Sequence, residues 1–108
     1  VIDLRSFATI NAYDQSIVER ADTYARELLE SYKEDAQNAG VENVSIIIEY
    51  GSPKVKITKE IAPKYEADLI LCGATGLNAV ERFLIGSVSE YIVRHSKCDV
   101  LVVRTSKD

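Results

Sequence analysis

Apolar residues return every three or four positions along residues 16–39, and this period predicts an amphipathic helix. The apolar face would consist of Ile17, Ala21, Tyr24, Ala25, Leu28, Tyr32, Ala36 and Ala39. Ser16 and Glu19 have the spacing of a capping box, in which Ser16 is the N-cap. Gly40 stands where a glycine commonly ends a helix at the C′ position. We therefore predict a long helix bounded by Ser16 and Gly40.

Shorter apolar runs, rich in Val, Ile and Leu, predict four strands. They span residues 1–4, 44–50, 69–72 and 100–104. The first run is short, β-branched and mostly apolar, and the third is unbroken, so both are consistent with buried strands.

Two further helices are expected between the later strands. Pro53 predicts a first helical residue after a turn and N-cap at residues 51–52, and Pro63 should kink or end that helix. Ser87 and Glu90 repeat the capping-box spacing, so Ser87 should be the N-cap of the last helix.

The order of these elements indicates the fold class. Strands alternate with helices, which is typical of a parallel sheet, and each crossover is long enough for a right-handed βαβ unit. We expect an α/β fold with an open, mostly parallel, doubly wound sheet in a three-layer α-β-α arrangement. A chain of 108 residues should form a single domain, residues 1–108.

Composition narrows the class of protein. Hydrophobic residues make up 46% and charged residues 28%, a mixture typical of globular chains. The net charge of −4 opposes a phosphate backbone, so no nucleic-acid partner is expected. No apolar run approaches the roughly 20 residues that span a bilayer, so we expect a soluble, cytoplasmic protein with no membrane partner.

Cysteine and histidine are too few for a disulfide framework or a metal-ligand set, since the chain has two cysteines and one histidine. Cys72 ends one predicted parallel strand and Cys98 precedes another. The two thiols should therefore lie at opposite ends of the sheet, beyond disulfide reach.

The strand at residues 69–72 is followed by glycines with the spacing Gly73-x2-Gly76-x9-Gly86-Ser87. Ligands of open parallel sheets bind beyond the carboxyl ends of the strands. Glycines there let backbone N–H groups approach an anion, and the helix N-terminus and the hydroxyls of Ser87 and Ser89 add donors. The pattern predicts a phosphate cradle, in which a Cβ at Gly86 would crowd the phosphates and strain the backbone.

A second interpretation of the same glycines stays open from the residues alone. Gly73 can simply end a strand, Gly76 can occupy a turn with positive φ, and Gly86 can separate two helices. In that interpretation the glycines serve only the backbone.

The glycine spacing, with Asp68-Leu69-Ile70-Leu71-Cys72 before it and Asp99-Val100-Leu101-Val102-Val103 after it, resembles the ATP-binding branch of the universal stress proteins. The resemblance covers essentially the whole chain. It implies an adenine nucleotide α-hydrolase-like fold and a regulatory protein of the stress response that binds ATP or AMP, with Mg²⁺ on the phosphates. No catalytic machinery is evident, so ATP hydrolysis would be slow at most, and His95 should complement the helix dipole rather than act as a base.

The resemblance also assigns roles to individual residues. Val1 would meet the adenine through its backbone, and Cys72 would line that pocket. The residues implied along the ribose and phosphates are Gly73, Gly76, Asn78, Gly86, Ser87, Val88 and Ser89.

Two further expectations concern a missing N-terminal strand and the assembly of the chain. Family members begin with a further strand at the centre of the sheet, and this Met-free sequence opens directly on strand-like residues, so we expect an N-terminal βα unit to be missing. The last strand should lie at the sheet edge and pair with its copy in a homodimer. The predicted dimer residues are Val100, Leu101, Val102 and Val103.

Two other functions remain as alternatives to nucleotide binding. One is a nucleotide-independent dimeric signalling or interaction module, in which the glycines are structural. The other is a nucleotidyl- or phosphoryl-transferring enzyme on the same kind of fold.

Overall fold

A computed structural model describes residues 1–3, 15–74 and 85–104 of the chain. The chain forms two compact units, which we call the first unit (Val1–Gly51) and the second unit (Ser52–Asp108). Helices alternate with parallel-paired strand segments, so the predicted α/β organisation is confirmed. Within the described ranges, no helix is long and apolar enough to cross a membrane.

The first unit is dominated by α1 (Gln15–Asn38). The helix already includes Gln15, so the predicted N-cap at Ser16 is wrong, and Ser16 lies inside the first turn. Its other end is as predicted, because Gly40 has a φ of +104°. The amide of Gly40 donates to Gln37 O at 3.0 Å and that of Val41 donates to Ala36 O at 3.0 Å, which is the Schellman pattern of helix termination.

The two strands predicted for the first unit are reduced to a single parallel bridge between Ile2 and Tyr50. The amide of Ile2 donates to Glu49 O at 2.7 Å, and the amide of Gly51 donates to Ile2 O at 2.9 Å. Residues 44–49 are not in a strand, contrary to the prediction. An apolar run becomes a strand only where a partner strand satisfies its backbone, and among the described residues Ile2 is the bridge partner of this run.

The second unit begins with a continuous helix in three parts: α2 (Pro53–Val55), a π-helix (Lys56–Ile61) and α3 (Ala62–Lys64). Ser52 is the N-cap and Pro53 the first helical residue, as predicted. The widened turn explains how the helix continues past Pro63. A proline ring clashes with the carbonyl four residues earlier in an α-helix, and the π-helix changes that spacing, with Ala62 N–H bonded to Ile57 O.

This helix also ends in a Schellman motif, but without a glycine. The amide of Ala67 donates to Ala62 O at 2.9 Å and that of Glu66 donates to Pro63 O at 3.2 Å. Glu66 occupies the C′ position with a φ of +52°. A side chain in this left-handed conformation is strained, and only glycine adopts it freely.

The sheet of the second unit consists of β1 (Leu69–Gly73) and β2 (Asp99–Val103), paired in parallel. Leu69 is opposite Asp99 and Gly73 is opposite Val103. The two strands match the predicted ones to within a residue at each end.

Burial along these strands differs from the prediction. Alternate residues are half-buried and exposed in both strands, and Leu71 and Leu101 are 63% and 50% exposed. One face of the sheet is therefore open in the described part of the unit. A strand is buried on both faces only when helices cover both faces, and α4 (Ser87–His95) covers one.

The core of the second unit lies under α4. This helix packs against α2, the π-helix and β2, and its Ile92 side chain is 1% exposed. Ala74, which follows β1, and Thr58 of the π-helix are also buried. Burial of Ile92 fixes α4 against the sheet, and this places the start of α4 beside the end of β1.

Candidate functional site

Two hydrogen bonds join the end of β1 to the start of α4, and a third joins Ala74 to β2. The Ser89 hydroxyl donates to the carbonyl of Gly73. The amide of Gly86 donates to Ala74 O at 2.6 Å, and the amide of Ala74 donates to Val103 O at 2.9 Å. The strand end, the residue that follows it and the first turn of the helix therefore form one connected site, which we call the β1–α4 junction (Gly73, Ala74 and Gly86–Ser89).

The N-cap of α4 is Gly86, and not Ser87 as the capping-box spacing predicted. Gly86 has a φ of −69° and a ψ of 159°, an extended conformation that places it just outside the helix. Ser87 thereby becomes the first helical residue. Because a glycine cap has no side chain, the N-cap itself provides no capping hydroxyl or carboxylate to the amides of the first turn.

These amides are the donors that the junction offers. The first backbone hydrogen bond of the helix runs from Glu90 N–H to Gly86 O at 2.9 Å. Within the described residues, nothing accepts a hydrogen bond from the amides of Ser87, Val88 or Ser89. Such amides, at the positive end of the helix dipole, are suited to an anion such as a phosphate.

Neither Gly73 nor Gly86 has a backbone conformation that only glycine adopts freely. Positive φ occurs at Gly40 and Gly51 among the described glycines, whereas Gly86 and Gly73 have extended or strand conformations. Any residue can adopt these conformations, so the expected strain of a side chain at Gly86 is wrong. What glycine supplies at both positions is the absence of a Cβ beside the donors.

The charge around the junction is nearly neutral. Glu90 lies in the first turn, but its carboxylate is 3.9 Å from Arg94 Nε, one turn further along the helix. This pair is exposed on both sides and screened by solvent, so it adds little field of either sign. The described residues contain no group of three or more acidic, cysteine or histidine side chains that could hold a metal ion.

Two titratable residues of these elements lie far from the junction. His95 is the last residue of α4, at the opposite end of the helix from Ser87. Asp68 precedes β1 and is therefore at the other end of the strand from Gly73. The described part of the junction thus contains backbone donors and hydroxyls but no side chain that is placed to act as a base.

The structure brings together most of the predicted site residues of the second unit. Gly73, Gly86, Ser87, Val88 and Ser89 all belong to the junction, and Cys72 precedes it as a half-buried residue of β1.

Three other predicted residues stand apart from this group. Gly76 and Asn78 lie outside the described residues. Val1 is 40% exposed and belongs to the first unit, so its contact with adenine stays a prediction.

One residue of the junction was missed by the sequence analysis. Ala74 is 5% exposed, and its backbone both accepts from Gly86 and donates to Val103. Its side chain carries no chemistry, so no motif could have identified it. The only available signal was its position directly after a predicted strand.

Comparison with known proteins places these features in a family. The model of the Universal stress protein family matches residues 1–104. A protein of Staphylococcus saprophyticus named as a universal stress protein is 55% identical over 107 residues, which is 99% of this chain and 64% of that protein. A protein of Staphylococcus aureus strain USA300 with the same family name is 54% identical over an equal length. The chain thus spans 64% of the length of each of these relatives, slightly less than two thirds.

Solved structures agree with this result. The structure of the hypothetical protein MJ0577 has a TM-score of 0.84 and 28% identity, over 99% of this chain and 73% of that one. The structure of a universal stress protein in complex with cAMP has a TM-score of 0.62 and 35% identity, over 82% of this chain and 67% of that one.

Proposed function

Since the chain belongs to the universal stress protein family, we propose that it binds an adenine nucleotide, with the phosphates at the β1–α4 junction. The observation that carries this proposal is the set of three amides, of Ser87, Val88 and Ser89, that have no acceptor within the described residues. They lie beside two glycines whose backbone conformations do not require glycine.

Nucleotide binding is further supported by the solved universal stress protein that contains cAMP and is 35% identical to this chain. For the chain itself we propose ATP or AMP. The amides of the junction would hold the phosphates, and Cys72, Gly76, Asn78 and Val1 are proposed contacts to the ribose, phosphates and adenine. Mg²⁺ would bind together with the nucleotide, coordinated by its phosphates.

The proposed role is binding and regulation in a stress response rather than turnover. Transfer or hydrolysis of a phosphate needs a group that orients or deprotonates the nucleophile. The described part of the junction offers amide donors and hydroxyls, which stabilise an anion in its ground state. Occupancy by nucleotide would then be the signal that a partner senses.

The test is isothermal titration of the chain with ATP, AMP and cAMP, each with and without Mg²⁺. We expect the parent to bind at least one of them and Gly86→Val to lose binding. The φ and ψ of Gly86 are allowed for a valine, but valine is a poorer N-cap than glycine, so this variant should remain folded with a stability lower by about 1 kcal/mol. Complete loss of affinity in a variant that still unfolds cooperatively would separate a blocked site from a damaged fold.

The matched control is His95→Ala, at the opposite end of the same helix. It should bind nucleotide as the parent does. If Gly86→Val bound as tightly as the parent, the phosphates would not lie at the junction. If the parent bound none of the nucleotides, the alternative of a nucleotide-independent dimeric signalling module would take the place of this proposal.

A further inference from the structure

We propose that Ser89 is a positioning residue whose hydroxyl fastens the first turn of α4 to the end of β1, and that it is not itself a donor to the ligand. The inference rests on the proposed function and assigns one of its residues a different task. It differs from the role implied by family resemblance, in which Ser89 contacts the phosphates directly.

The proposal starts from how the hydroxyl of Ser89 is used. A serine hydroxyl has one proton to donate. In this structure the proton is directed to the carbonyl oxygen of Gly73, across the gap between helix and strand. Ser89 is 6% exposed, whereas Ser87 is exposed and lies two residues nearer the helix end. A hydroxyl that turned towards a ligand at this point would leave its carbonyl partner.

The hydrogen bond from Ser89 to Gly73 fixes the position of the first turn of α4. The amide and the hydroxyl of Ser89 belong to the same residue, and the amides of Ser87 and Val88 precede it in the same turn. Fastening Ser89 to Gly73 therefore sets where all three amides stand relative to the strand end. The bond from Gly86 N–H to Ala74 O, 2.6 Å long, is a second link between the same two segments.

Because the N-cap of α4 is a glycine, a contact other than a cap side chain has to hold the first turn of this helix. Side-chain caps such as Ser or Asp hold the first turn of many helices by bonding to its amides. Gly86 provides no such bond, so the start of α4 is held from the strand instead. The arrangement keeps the amides free for an anion while restricting their movement, which lowers the ordering cost of binding.

The test compares three variants of the full chain, and its first readout requires no ligand. Amide hydrogen exchange, measured by NMR, reports the hydrogen bonds of Gly86 N–H to Ala74 O and of Glu90 N–H to Gly86 O. We expect faster exchange at both amides in Ser89→Ala and parent-like exchange in Ser89→Thr, which keeps a hydroxyl. Ser96→Ala is the control, because the buried Ser96 hydroxyl at the other end of α4 has no partner within the described residues.

The second readout is nucleotide affinity in the same variants. Ser89→Ala should weaken binding about tenfold, the equivalent of about 1.4 kcal/mol, and Ser89→Thr should restore most of the loss. Ser96→Ala should bind as the parent does.

Three results would overturn the proposal, and they are distinguishable from a failure of the proposed function, which shows as a parent that binds no nucleotide. Parent-like exchange in ligand-free Ser89→Ala would mean that the hydroxyl does not hold the helix. Weakened affinity with unchanged ligand-free exchange would make Ser89 a direct ligand. Unchanged affinity together with faster exchange would make the bond a feature of stability alone.

Discussion

The Tyr50 hydroxyl donates a 2.6 Å hydrogen bond to Asp22 Oδ1, and this bond connects the residue of the parallel bridge to the second turn of α1. Arg26 Nη2 lies 3.4 Å from the other carboxylate oxygen, one turn along the helix. The hydrogen bond from Tyr50, aided by the charge of Arg26, lowers the pKa of Asp22. The same bond, together with partial burial, raises the pKa of Tyr50.

Tyr50→Phe should therefore destabilise the protein in a pH-dependent way. A lowered carboxyl pKa contributes stability above its ordinary value of roughly 4, and this is lost as the pH falls through the lowered pKa. A raised phenol pKa contributes stability below roughly 10, and this is lost as the pH rises through the raised pKa. Urea unfolding should show a constant deficit for Tyr50→Phe near neutral pH that shrinks towards both extremes.

The control for this prediction is Tyr65→Phe. Tyr65 is 52% exposed, and its hydroxyl has no hydrogen-bond partner in the part of the chain that the structure describes. Removal of this hydroxyl should leave the free energy of unfolding unchanged at every pH. A Tyr50→Phe deficit that stayed equal from acid to alkaline pH would show that lost packing, rather than the bond to Asp22, causes it.

Glu66→Gly should stabilise the protein, because it relieves the left-handed conformation at the end of α3. That conformation costs a side chain about 1–2 kcal/mol, and the greater entropy of unfolded glycine returns about 0.5–1 kcal/mol of the gain. The net rise in unfolding free energy should lie between about 0 and 1.5 kcal/mol, measured by urea denaturation. Glu66→Gln controls for the lost charge and should leave stability near that of the parent.

Replacing the glycine at the C′ position of α1 should have the opposite effect on the free energy of unfolding. Gly40 has a φ of +104°, and a Cβ built there meets nothing within 4 Å. Gly40→Ala should cost about 1 kcal/mol or slightly more, and this cost would come from the backbone alone. If Glu66→Gly and Gly40→Ala shifted stability in the same direction, the left-handed assignment of one of the two helix ends would be wrong.

Cys72 and Cys98 should titrate as two free thiols under denaturing, non-reducing conditions. Both are free in the structure. Cys72 is opposite Val102, and Cys98 lies four residues before Val102 in the chain. Along a strand this separation is roughly 13 Å, while the Cα atoms of a disulfide lie within about 7 Å. An intrachain disulfide found by mass spectrometry would contradict the parallel register of β1 and β2.

A homodimer through β2 remains our proposal for the assembly of the chain. β1 covers one edge of β2, and no other strand of the described residues pairs with the second edge. Leu101 of this edge strand is 50% exposed on the open face of the sheet, and an unpaired strand edge favours pairing with another strand. Sedimentation at micromolar concentration should give about twice the mass of one chain for the parent and less for Leu101→Lys, since a charged edge opposes pairing.

Val93→Lys is the matched control for the dimer. Val93 is also 50% exposed but lies on α4, so the same change of charge should leave the dimer intact. A parent that sedimented with the mass of one chain, or a Leu101→Lys variant that stayed dimeric, would exclude β2 as the interface.

Features that depend on neighbouring residues in the chain were predicted well from the sequence. The period of α1 and the glycine at its end, Gly40, are local signals, and both are present. Both helix N-termini were predicted too late in the chain, since Ser16 and Ser87 already lie inside α1 and α4. A capping motif identifies suitable side chains but not which residue leaves the helical conformation. At α4 that difference determines whether the first amides are capped or free.

Features that depend on distant partners could not be predicted. Residues 44–50 are as apolar as a strand, yet they form only a bridge, because pairing depends on how much of another segment lies alongside. The exposure of Leu71 depends on which face the helices cover. The bond of Ser89 to Gly73 links residues that are sixteen positions apart in the chain, and the glycine spacing says nothing about it.

The hydrogen bond from Gly86 N–H to Ala74 O also affects the entropy cost of folding. It joins two residues that are twelve positions apart in the chain, whereas the register of the sheet joins Leu69 to Asp99, thirty positions apart. The entropy lost on closing a loop grows with the logarithm of its length, by about 0.6 kcal/mol for each doubling. The contact between the strand end and the helix start therefore costs less entropy to form than the pairing of β1 with β2.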